Sequence, residues 1–421
     1  MPDQETPVPG RANGPALPLE GVKVLDLSRA LAGPYATALL TDLGADVTKV
    51  ESIKGGDSTR QWPPFENDQS LYFDSANRGK SSLALDFYSA DGKALLWKLA
   101  LASDVVVENF RPGVLSKMGL DPAELRAAKP ELIIASVSGF GTTGPLSQAA
   151  GLDQVAQGMS GLMSVTGADS ENMFRVGVPI IDMVSGIFTA FGIAAALAGR
   201  ERHGAGMDVS TSLLESALSI SSFQGQRFLS LGEVATPQGN NHPVLSPYGV
   251  FKTADVPVII AVGNEKQWQQ LCELLGQPQL ALDPLYVTGK LRTLNREKLK
   301  GKVEHLLAQR GGKEWVSSFR EAKIPAGPIY TFKEVFEDTQ VQALEMVQQL
   351  RRSDGTALPL LRGPLSLNGK APEIRKAPPA LGEDTLRVLA ELELSESQIQ
   401  GLLDSGIVMA APAPALAAAV S

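Results

Sequence analysis

The carboxylate Asp182 directly precedes a long uncharged segment, Met183–Gly199, in which nearly every residue is apolar or small. A helix that is apolar on all sides is normally buried, so we expect this segment to form a buried helix with Asp182 at or beside its N-cap. Two roles suit a carboxylate there. It could cap the first backbone N–H groups, or it could be a nucleophile toward an activated acyl group, held ionised by the helix dipole. Residue types alone favour the cap.

Other side chains that could bind or react follow predicted strands or glycine-rich turns. Asn109 and Arg111 come after a buried strand, and doubly wound α/β folds bind ligands at the carboxyl ends of strands. Asp153 follows a glycine-rich turn and could be a second acid or the cap of a short helix. Arg78 and Lys80 could meet phosphates, although we favour a solvated basic turn.

The first part of the chain predicts a strand–helix–strand unit. Val22–Leu27 and Ala45–Val50 have strand patterns, and Pro34–Leu43 between them has a helical pattern with proline in the first turn. Such a unit implies a parallel sheet, which we expect to be doubly wound. The connecting sequence LSRALAGP contains no G-x-G-x-x-G pattern, so NAD is not expected as a cofactor.

Length and composition indicate a globular protein of two or three domains: 421 residues, of which 43% are hydrophobic and 20% charged. The net charge of −8 argues against nucleic acid as a partner. The single cysteine, Cys272, excludes an intramolecular disulfide and lies in a leucine-rich pattern typical of a helix core. We find no signal peptide, and the longest apolar run is short for a membrane span, so we expect a cytoplasmic protein with no membrane partner.

The sequence also narrows the chemistry. It contains three histidines, no H-E-x-x-H and no cysteine pair, so no metal site is expected. The absence of G-x-S-x-G argues against a hydrolase triad. Chemistry would therefore rest on carboxylates, backbone N–H groups and His242.

Eight stretches occur in order between about residues 18 and 408, and the ordered set is far more specific than any one of them. They are LEGVKVLDLSRALAGP, GADVTKVES, NRGKSSLALD, ENFRPGVLSKMGL, GLDQVAQGMSGLMSVTG, VPIIDMVSGIFTAFGIAAAL, PAGPIYTFKEVFED and LGEDTLRVLAEL. This set resembles the family III CoA-transferases, the formyl-CoA and carnitine CoA-transferase type.

The resemblance implies that Asp182 is the nucleophile of a CoA-transferase. Coenzyme A would move from an acyl-CoA thioester to a carboxylic acid through an aspartyl anhydride and an aspartyl-CoA thioester. The resemblance also implies an interlocked homodimer, in which each subunit is a ring threaded by the other, and a coenzyme A groove. The groove would be formed by Leu31, Ala32, Leu85, Asp86, Tyr88, Asn109, Phe110, Arg111, Lys117, Ala150, Gly151, Leu152 and Asp153.

The domain organisation follows from the resemblance together with a change of composition near Gly225. We expect a Rossmann-like large domain made of two separate segments and a smaller α+β domain between them. The predicted segments are a disordered leader (1–17), the first part of the large domain (18–205), a linker (206–225), the small domain (226–330), a return linker with the second part of the large domain (331–408), and a disordered tail (409–421).

The chain departs from the family pattern at several positions. Ser52 stands where an arginine is common and Tyr88 where a lysine is common, which puts the contacts at the adenine end in doubt. The glycine-rich loop that covers the active site in formyl-CoA transferase corresponds here to Gln238, Gly239, Asn240, Asn241 and His242. Backbone N–H groups of this lid loop could stabilise an oxyanion. Its polar side chains could bind the second carboxylate of a dicarboxylic acceptor such as succinate, oxalate or glutarate, or could simply form a turn.

Two alternatives remain beside CoA transfer. Acyl-CoA racemases of the same superfamily carry a histidine in a GHD triplet where this chain has Gly151, Leu152 and Asp153. Because Leu152 cannot return an α-proton, the sequence favours transfer over 2-methylacyl-CoA racemisation. A non-catalytic CoA-binding protein would keep the groove but would not need Asp182, so the intact aspartate and helix favour an enzyme.

Overall fold

The structure, a computed structural model, describes residues 17–412. Residues 1–16 of the predicted leader and 413–421 of the predicted tail lie outside the described residues. The predicted tail begins too early, because Val408 and Met409 form a strand that pairs with Leu85 and Ala84. An apolar pair that extends a sheet edge is ordered by backbone hydrogen bonds, which the low-complexity pattern of the tail conceals.

The strands within 17–412 are β1 (Lys23–Asp26), β2 (Asp46–Ser52), β3 (Phe65–Glu66), β4 (Gln69–Ser70), β5 (Ser81–Leu85), β6 (Val105–Glu108), β7 (Ile133–Ser138), β8 (Asp208–Ser212), β9 (Tyr248–Phe251), β10 (Val258–Ala261), β11 (Ala326–Pro328), β12 (Val347–Arg351), β13 (Ala357–Leu361) and β14 (Val408–Met409). The α-helices are α1 (Ala32–Asp42), α2 (Leu71–Ala76), α3 (Ala90–Leu101), α4 (Val114–Lys117), α5 (Pro122–Ala128), α6 (Asp153–Met159), α7 (Ile180–His203), α8 (Leu213–Ser219), α9 (Ser222–Leu231), α10 (Glu265–Leu274), α11 (Gly289–Leu294), α12 (Arg296–Leu307), α13 (Gly312–Glu321), α14 (Phe332–Glu337), α15 (Thr339–Ala343), α16 (Thr385–Glu391) and α17 (Glu396–Asp404).

A seven-stranded sheet, in the order β14-β5-β2-β1-β6-β7-β8, is the centre of the first structural unit. All its pairs are parallel except β14 with β5, so the predicted parallel sheet is confirmed. Counted in chain order, the parallel strands lie as 3-2-1-4-5-6, the order of the doubly wound dinucleotide-binding folds. The order reverses between β1 and β6, and ligands of such sheets bind at this reversal.

The sheet is buried on both faces because successive side chains of its strands point to opposite sides. Val106 contributes to one apolar core, which α3, α5 and α16 also supply. Val105 and Val107 contribute to the other core, together with α1 and α7. The near-continuous apolar runs of these strands therefore follow from their double burial.

Helix α7 contains the predicted helix Met183–Gly199 and extends it at both ends, so that Asp182 lies inside the helix. Its small residues allow close packing, since a Cβ on Gly186 would lie 2.7 Å from the carbonyl oxygen of Ala32. The expected burial on all sides is wrong, because Ile187 and Phe191 are 48% and 71% exposed. The packed side of α7 carries Gly186 together with the buried Ile193 and Leu197, while Ile187 and Phe191 lie on the exposed side. Within 17–412, α7 is the one helix long and apolar enough to cross a membrane, and 39% of its apolar window is buried in the fold.

A second unit comprises residues 161–176 and 223–344. Its three-stranded antiparallel sheet has the order β11-β10-β9 and packs against α10, α12 and α13. The predicted core position of Cys272 is confirmed, since this residue is fully buried and burial raises the pKa of its thiol to about 12.

Within residues 17–412, the first unit comprises residues 17–160, 177–222 and 345–412. The predicted linker 206–225 instead contains β8, which pairs with β7 inside the central sheet. The β-branched Val209 and Thr211 alternate with exposed residues, which suits an edge strand, and this pairing places the segment in the large domain. Residues 161–176, expected in the large domain, cluster with the second unit.

Candidate active site

A cleft of about 420 Å³ opens at the carboxyl ends of the strands of the first unit, beside the reversal of strand order. It brings together residues that follow β1, β5, β6 and β7, which are far apart in sequence. Six of the predicted groove residues line it, namely Tyr88, Asn109, Phe110, Arg111, Ala150 and Gly151. The sequence analysis missed Arg29, Pro112, Val114, Ser138, Gly139, Ser147 and Ala149. The signal that could have been used is Arg29, a charged residue three positions after the end of the first strand.

Asn109 holds the loop after β1 by its side-chain amide. Its Oδ1 accepts a hydrogen bond from the backbone N–H of Arg29 at 2.8 Å, and its Nδ2 donates to the carbonyl oxygen of Arg29 at 2.7 Å. The Arg29 guanidinium lies over the Phe110 ring, 5.2 Å from its centroid. Asn109 therefore supports the wall of the cleft, and the polar group that faces the cleft is the arginine.

Two arginines of the cleft, Arg29 and Arg111, are exposed, and neither has an ion-pair partner within residues 17–412. Lys117 is also exposed, at the end of α4, whose first residue Val114 lines the cleft. Unpaired guanidinium groups beside a crevice suit the recognition of phosphate oxygens.

Other predicted groove residues do not line the cleft. The side chains of Leu31, Ala32 and Leu85 are buried in the fold, so only their backbone atoms could meet a ligand. Asp86 is half-buried, and its Oδ1 accepts a hydrogen bond from the backbone N–H of Tyr88 at 3.2 Å. Leu152 is 66% exposed, directly after Gly151 of the cleft.

Tyr88 and Ser52, the two positions that depart from the family pattern at the adenine end, line different pockets. Tyr88 is 66% exposed at the cleft, whereas Ser52 lines a smaller neighbouring pocket together with Phe110. The Ser52 hydroxyl accepts a hydrogen bond from the backbone N–H of Lys54 at 3.1 Å.

Asp182 is not the N-cap of α7. The helix begins at Ile180, its N-cap is Pro179, and Asp182 occupies the third position of the first turn. Within residues 17–412 no hydrogen bond or ion pair reaches the half-buried carboxylate of Asp182. The capping role that residue types favoured is therefore wrong. The carboxylate has both oxygens free for another partner.

Asp153 caps α7 from another helix. Its Oδ1 accepts hydrogen bonds from the backbone N–H groups of Ile181 at 2.7 Å and of Asp182 at 3.2 Å. Its Oδ2 accepts one from Nε2 of Gln157 at 2.6 Å. Asp153 is the first residue of α6, so it is a cap, but of a helix 28 residues away. A sequence pattern cannot reveal such a cap, because capping rules compare neighbouring residues.

The protonation of Asp182 reflects these surroundings. Burial first, and then the neighbouring Asp153 carboxylate, raise the pKa of Asp182 to about 7. The expectation that the helix N-terminus would hold it ionised is therefore wrong. The N–H groups that could have lowered its pKa are bound to Asp153 instead.

The basic residues of the loop before β5 have a structural role, so both interpretations of Arg78 and Lys80 are wrong. Nζ of Lys80 is fully buried, 2.9 Å from Oδ2 of Asp26. The Arg78 guanidinium is paired with Asp42 at 2.6 Å and is also buried. The sequence shows the basic residues but not the acids that lie on other elements.

The predicted lid loop lies in the second unit and is held by hydrogen bonds within that unit. The backbone N–H of Gly239 donates to the carbonyl oxygen of Gly167 at 3.0 Å. Nδ1 of His242 accepts from the backbone N–H groups of Val244 and Leu245, at 3.2 and 3.1 Å. Since Nδ1 accepts, the proton of a neutral His242 is on Nε2. Burial and the Arg296 guanidinium lower the pKa of His242.

The other lid residues are more exposed. Gln238, Gly239 and Asn240 are exposed, and Asn241 is half-buried. A hydrogen bond from the backbone N–H of Asn241 to the carbonyl oxygen of Gln238, 3.0 Å long, closes a turn.

Within residues 17–412 no three His, Cys, Asp or Glu side chains are grouped so that they could hold a metal ion.

Comparison with known proteins identifies the family. The model of CoA-transferase family III matches residues 19–385. The succinate–glutarate CoA-transferase of Agrobacterium fabrum is 39% identical over 386 residues, which cover 90% of this chain and 96% of that protein. The acetyl-CoA:oxalate CoA-transferase of Acetobacter aceti is 36% identical over 386 residues, 91% of this chain and 98% of that protein. The crystal structure of a CAIB/BAIF family protein from Brucella suis has a TM-score of 0.80 at 36% identity and covers 90% of this chain and all of that one.

Proposed function

Because this chain belongs to CoA-transferase family III, we propose that it moves coenzyme A from an acyl-CoA thioester to a small dicarboxylic acid. The acceptor class is supported by two similar enzymes, whose names specify succinate and glutarate in one case and oxalate in the other. The observation that carries the proposal is Asp182: a carboxylate with no protein partner within residues 17–412, on a helix whose cap, Asp153, follows the cleft residue Gly151 by two positions.

In the proposed reaction, the ionised Asp182 attacks the donor thioester carbonyl, and coenzyme A leaves as a thiolate. The thiolate attacks the aspartyl carbonyl of the resulting anhydride, which frees the donor acid and leaves coenzyme A bound to Asp182 as a thioester. The acceptor carboxylate attacks this thioester and expels the thiolate. The thiolate then attacks the acceptor carbonyl of the new anhydride, which releases the product and restores Asp182.

The cleft of the first unit is the proposed site for coenzyme A. Arg29 and Arg111 supply unpaired cations for its phosphate groups, and the Tyr88 and Phe110 rings supply apolar surface. We propose that the main-chain atoms of Leu31 and Ala32 contact coenzyme A near Asp182. The main chain of Ala32 packs against Gly186, which lies one helical turn after Asp182.

The lid loop Gln238–His242 is the proposed acceptor element. A neutral His242 with its proton on Nε2 could donate to a carboxylate without a full charge. Of the backbone N–H groups expected as oxyanion donors, those of Gly239 and Asn241 already donate to the carbonyl oxygens of Gly167 and Gln238, so the N–H of Asn240 is the proposed donor.

An interlocked homodimer is also part of the proposal. The exposed Ile187 and Phe191 form an apolar stripe on α7, and Leu218 of α8 is 51% exposed. Apolar side chains of this size on core-forming helices suit burial by a second copy. Native mass spectrometry of the wild type and of Phe191→Asp would test this, with loss of the dimer expected in the variant.

A cytoplasmic location stays a prediction from the sequence.

Mass spectrometry after incubation with succinyl-CoA would test the reaction. We expect a coenzyme A adduct on the peptide that contains Asp182, removable by hydroxylamine, and no adduct with Asp182→Ala. Asp46→Ala is a matched control, because Asp46 is exposed at the start of β2. Failure to form an adduct with several acyl-CoA donors would contradict transfer, and deuterium exchange at a substrate α-carbon would instead indicate racemisation.

A further inference from the structure

The turn between β1 and α1 contains a residue in a conformation that ordinary side chains avoid. Ala30 has φ = 61°, in the left-handed region, which a residue with a Cβ rarely adopts without support from its surroundings. Such residues cluster at functional sites, where the surrounding structure determines them. Ala30 directly follows Arg29, whose guanidinium lies at the cleft.

Side chains from other elements bind the backbone on both sides of Arg29. Nζ of Lys49 donates to the carbonyl oxygen of Ser28 at 2.7 Å, and Oδ1 of Asp57 accepts from the backbone N–H of Ala30 at 3.2 Å. Asn109 binds the N–H and the carbonyl of Arg29 itself. The conformation of the turn is thus fixed by three side chains that lie on β2, after β2 and after β6.

Lys49 and Asp57 are also joined to each other. Nζ of Lys49 lies 3.0 Å from Oδ2 of Asp57, and both side chains are fully buried. Oδ1 of Asp57 additionally accepts from the backbone N–H and the hydroxyl of Thr59, at 3.0 and 2.9 Å. A buried ion pair with this many bonds holds its members in one place, since removing a partner would leave a buried charge uncompensated.

We propose that the Lys49–Asp57 ion pair is a positioning device that holds Ala30 in its left-handed conformation and thereby sets Arg29 in the cleft to bind a phosphate group of coenzyme A. The inference rests on the proposed function for the identity of the ligand. Lys49 and Asp57 touch no ligand in this proposal and act through Arg29. The geometry explains why two fully buried charges lie behind a cleft whose exposed arginines have no ion-pair partner among residues 17–412.

The test is the affinity of the full-length protein for coenzyme A, measured by calorimetry, in a double-mutant cycle of Arg29→Ala and Asp57→Ala. We expect each single variant to weaken binding about tenfold, the scale of one charge-assisted contact to phosphate. The double variant should be no weaker than Arg29→Ala alone, because Asp57 acts through Arg29. Pantetheine, which lacks the phosphate groups, should bind equally to all four proteins.

A second pair of variants tests the backbone conformation even if Asp57→Ala fails to fold. Ala30→Gly should leave the affinity within about twofold, because glycine adopts φ = 61° freely. Ala30→Val should weaken binding about tenfold, because a β-branched residue is strongly disfavoured there. Ala30→Gly added to Asp57→Ala should restore part of the lost affinity.

The outcomes separate the inference from the proposed function. Additive effects of Arg29→Ala and Asp57→Ala, or equal affinities of Ala30→Gly and Ala30→Val, would overturn the positioning role. Loss of pantetheine binding together with coenzyme A binding would show a general collapse of the site and would also overturn it. If the wild type binds no coenzyme A at all, the proposed function fails first, before any variant is compared.

Discussion

Two aspartates of the first unit, one fully buried and one half-buried, differ most in their hydrogen-bond and ion-pair partners. Asp26, at the end of β1, accepts hydrogen bonds from Ser28 and Thr37 and pairs with Nζ of Lys80 at 2.9 Å. Although burial alone would raise the pKa of Asp26, the Lys80 and Lys49 ammonium groups and these hydrogen bonds hold it below its usual range. Asp182 accepts no hydrogen bond within residues 17–412, and burial with the charge of Asp153 raises its pKa to about 7.

The contrast separates a structural carboxylate from a reactive one. A buried carboxylate whose oxygens are all bound is stable as an ion and unavailable to a substrate. An unpartnered carboxylate is costly to bury as an ion, and its free oxygens make it a stronger nucleophile. Burial alone therefore says little about function, whereas the supply of hydrogen-bond donors says much.

Replacing Asp182 should have the largest effect on activity. We expect Asp182→Asn to lower kcat for CoA transfer at least a thousandfold, because no covalent intermediate can form on an amide. The melting temperature should not fall, since the native carboxylate has no protein partner within residues 17–412 to lose. Steady-state kinetics and thermal unfolding of the same samples would measure both effects. Appreciable transfer by the variant would place the nucleophile elsewhere.

Breaking the ion pair of Asp26 should have the largest effect on stability. Lys80→Met leaves a fully buried carboxylate without its closest cation, and we expect a loss of about 3–5 kcal/mol in the free energy of unfolding. Urea denaturation would measure the loss, with Lys98→Met, at an exposed position of α3, as the control. A loss equal to that of the control would show that Asp26 is satisfied without Lys80.

The two aspartates should contribute to stability with opposite dependence on pH. Because the pKa of Asp182 is raised in the folded protein, ionising it disfavours folding as pH rises from about 4 to about 7. Asp182→Asn removes this term, so its stability relative to the wild type should increase by roughly 2–4 kcal/mol between pH 4 and pH 8. Asp26→Asn should show the opposite sign, because the lowered pKa of Asp26 stabilises the fold at neutral pH and this contribution is lost in acid. Urea midpoints at several pH values would reveal whether the signs differ.

The smallest expected effect is the influence of Asp153 on Asp182. Asp153→Asn keeps an acceptor for the N–H groups of α7 but removes the charge. We expect the acidic limb of the kcat/KM profile, which rises near pH 7 as Asp182 ionises, to move about one pH unit lower. Glu215→Gln is the matched control, because α8 packs on α7 while Glu215 is not among the causes of the raised pKa. An unchanged profile would show that burial alone sets the protonation.

The parts of the fold that depend on local patterns were predictable. The apolar runs of β1, β6 and β7 and the turn chemistry around α1 indicated a parallel sheet, and Asn109, Phe110 and Arg111 at the end of β6 were expected near a ligand. Periodicity and strand ends are encoded within a few residues of the chain. The family resemblance added the identity of Asp182 as the residue of interest.

The parts that depend on distant partners were not predictable. Nothing in the sequence near Lys80 shows that Asp26 will neutralise it, and nothing near Asp182 shows that Asp153 will take its backbone donors. The exposed stripe of Ile187 and Phe191 was missed for the same reason, since an apolar helix does not reveal which of its sides has a neighbour. Tertiary placement decides such features.

The antiparallel strand β14 has a consequence for how the protein matures during synthesis. It covers the edge of β5, and Asp384, which binds the backbone of Ser82, lies 302 residues further along the chain. The ribosome therefore completes the whole segment 223–344 before the residues that seal this edge emerge. An open strand edge is a template for pairing with other chains. A growing chain of this protein thus has a long interval in which chaperones that shield exposed strands would have most to do.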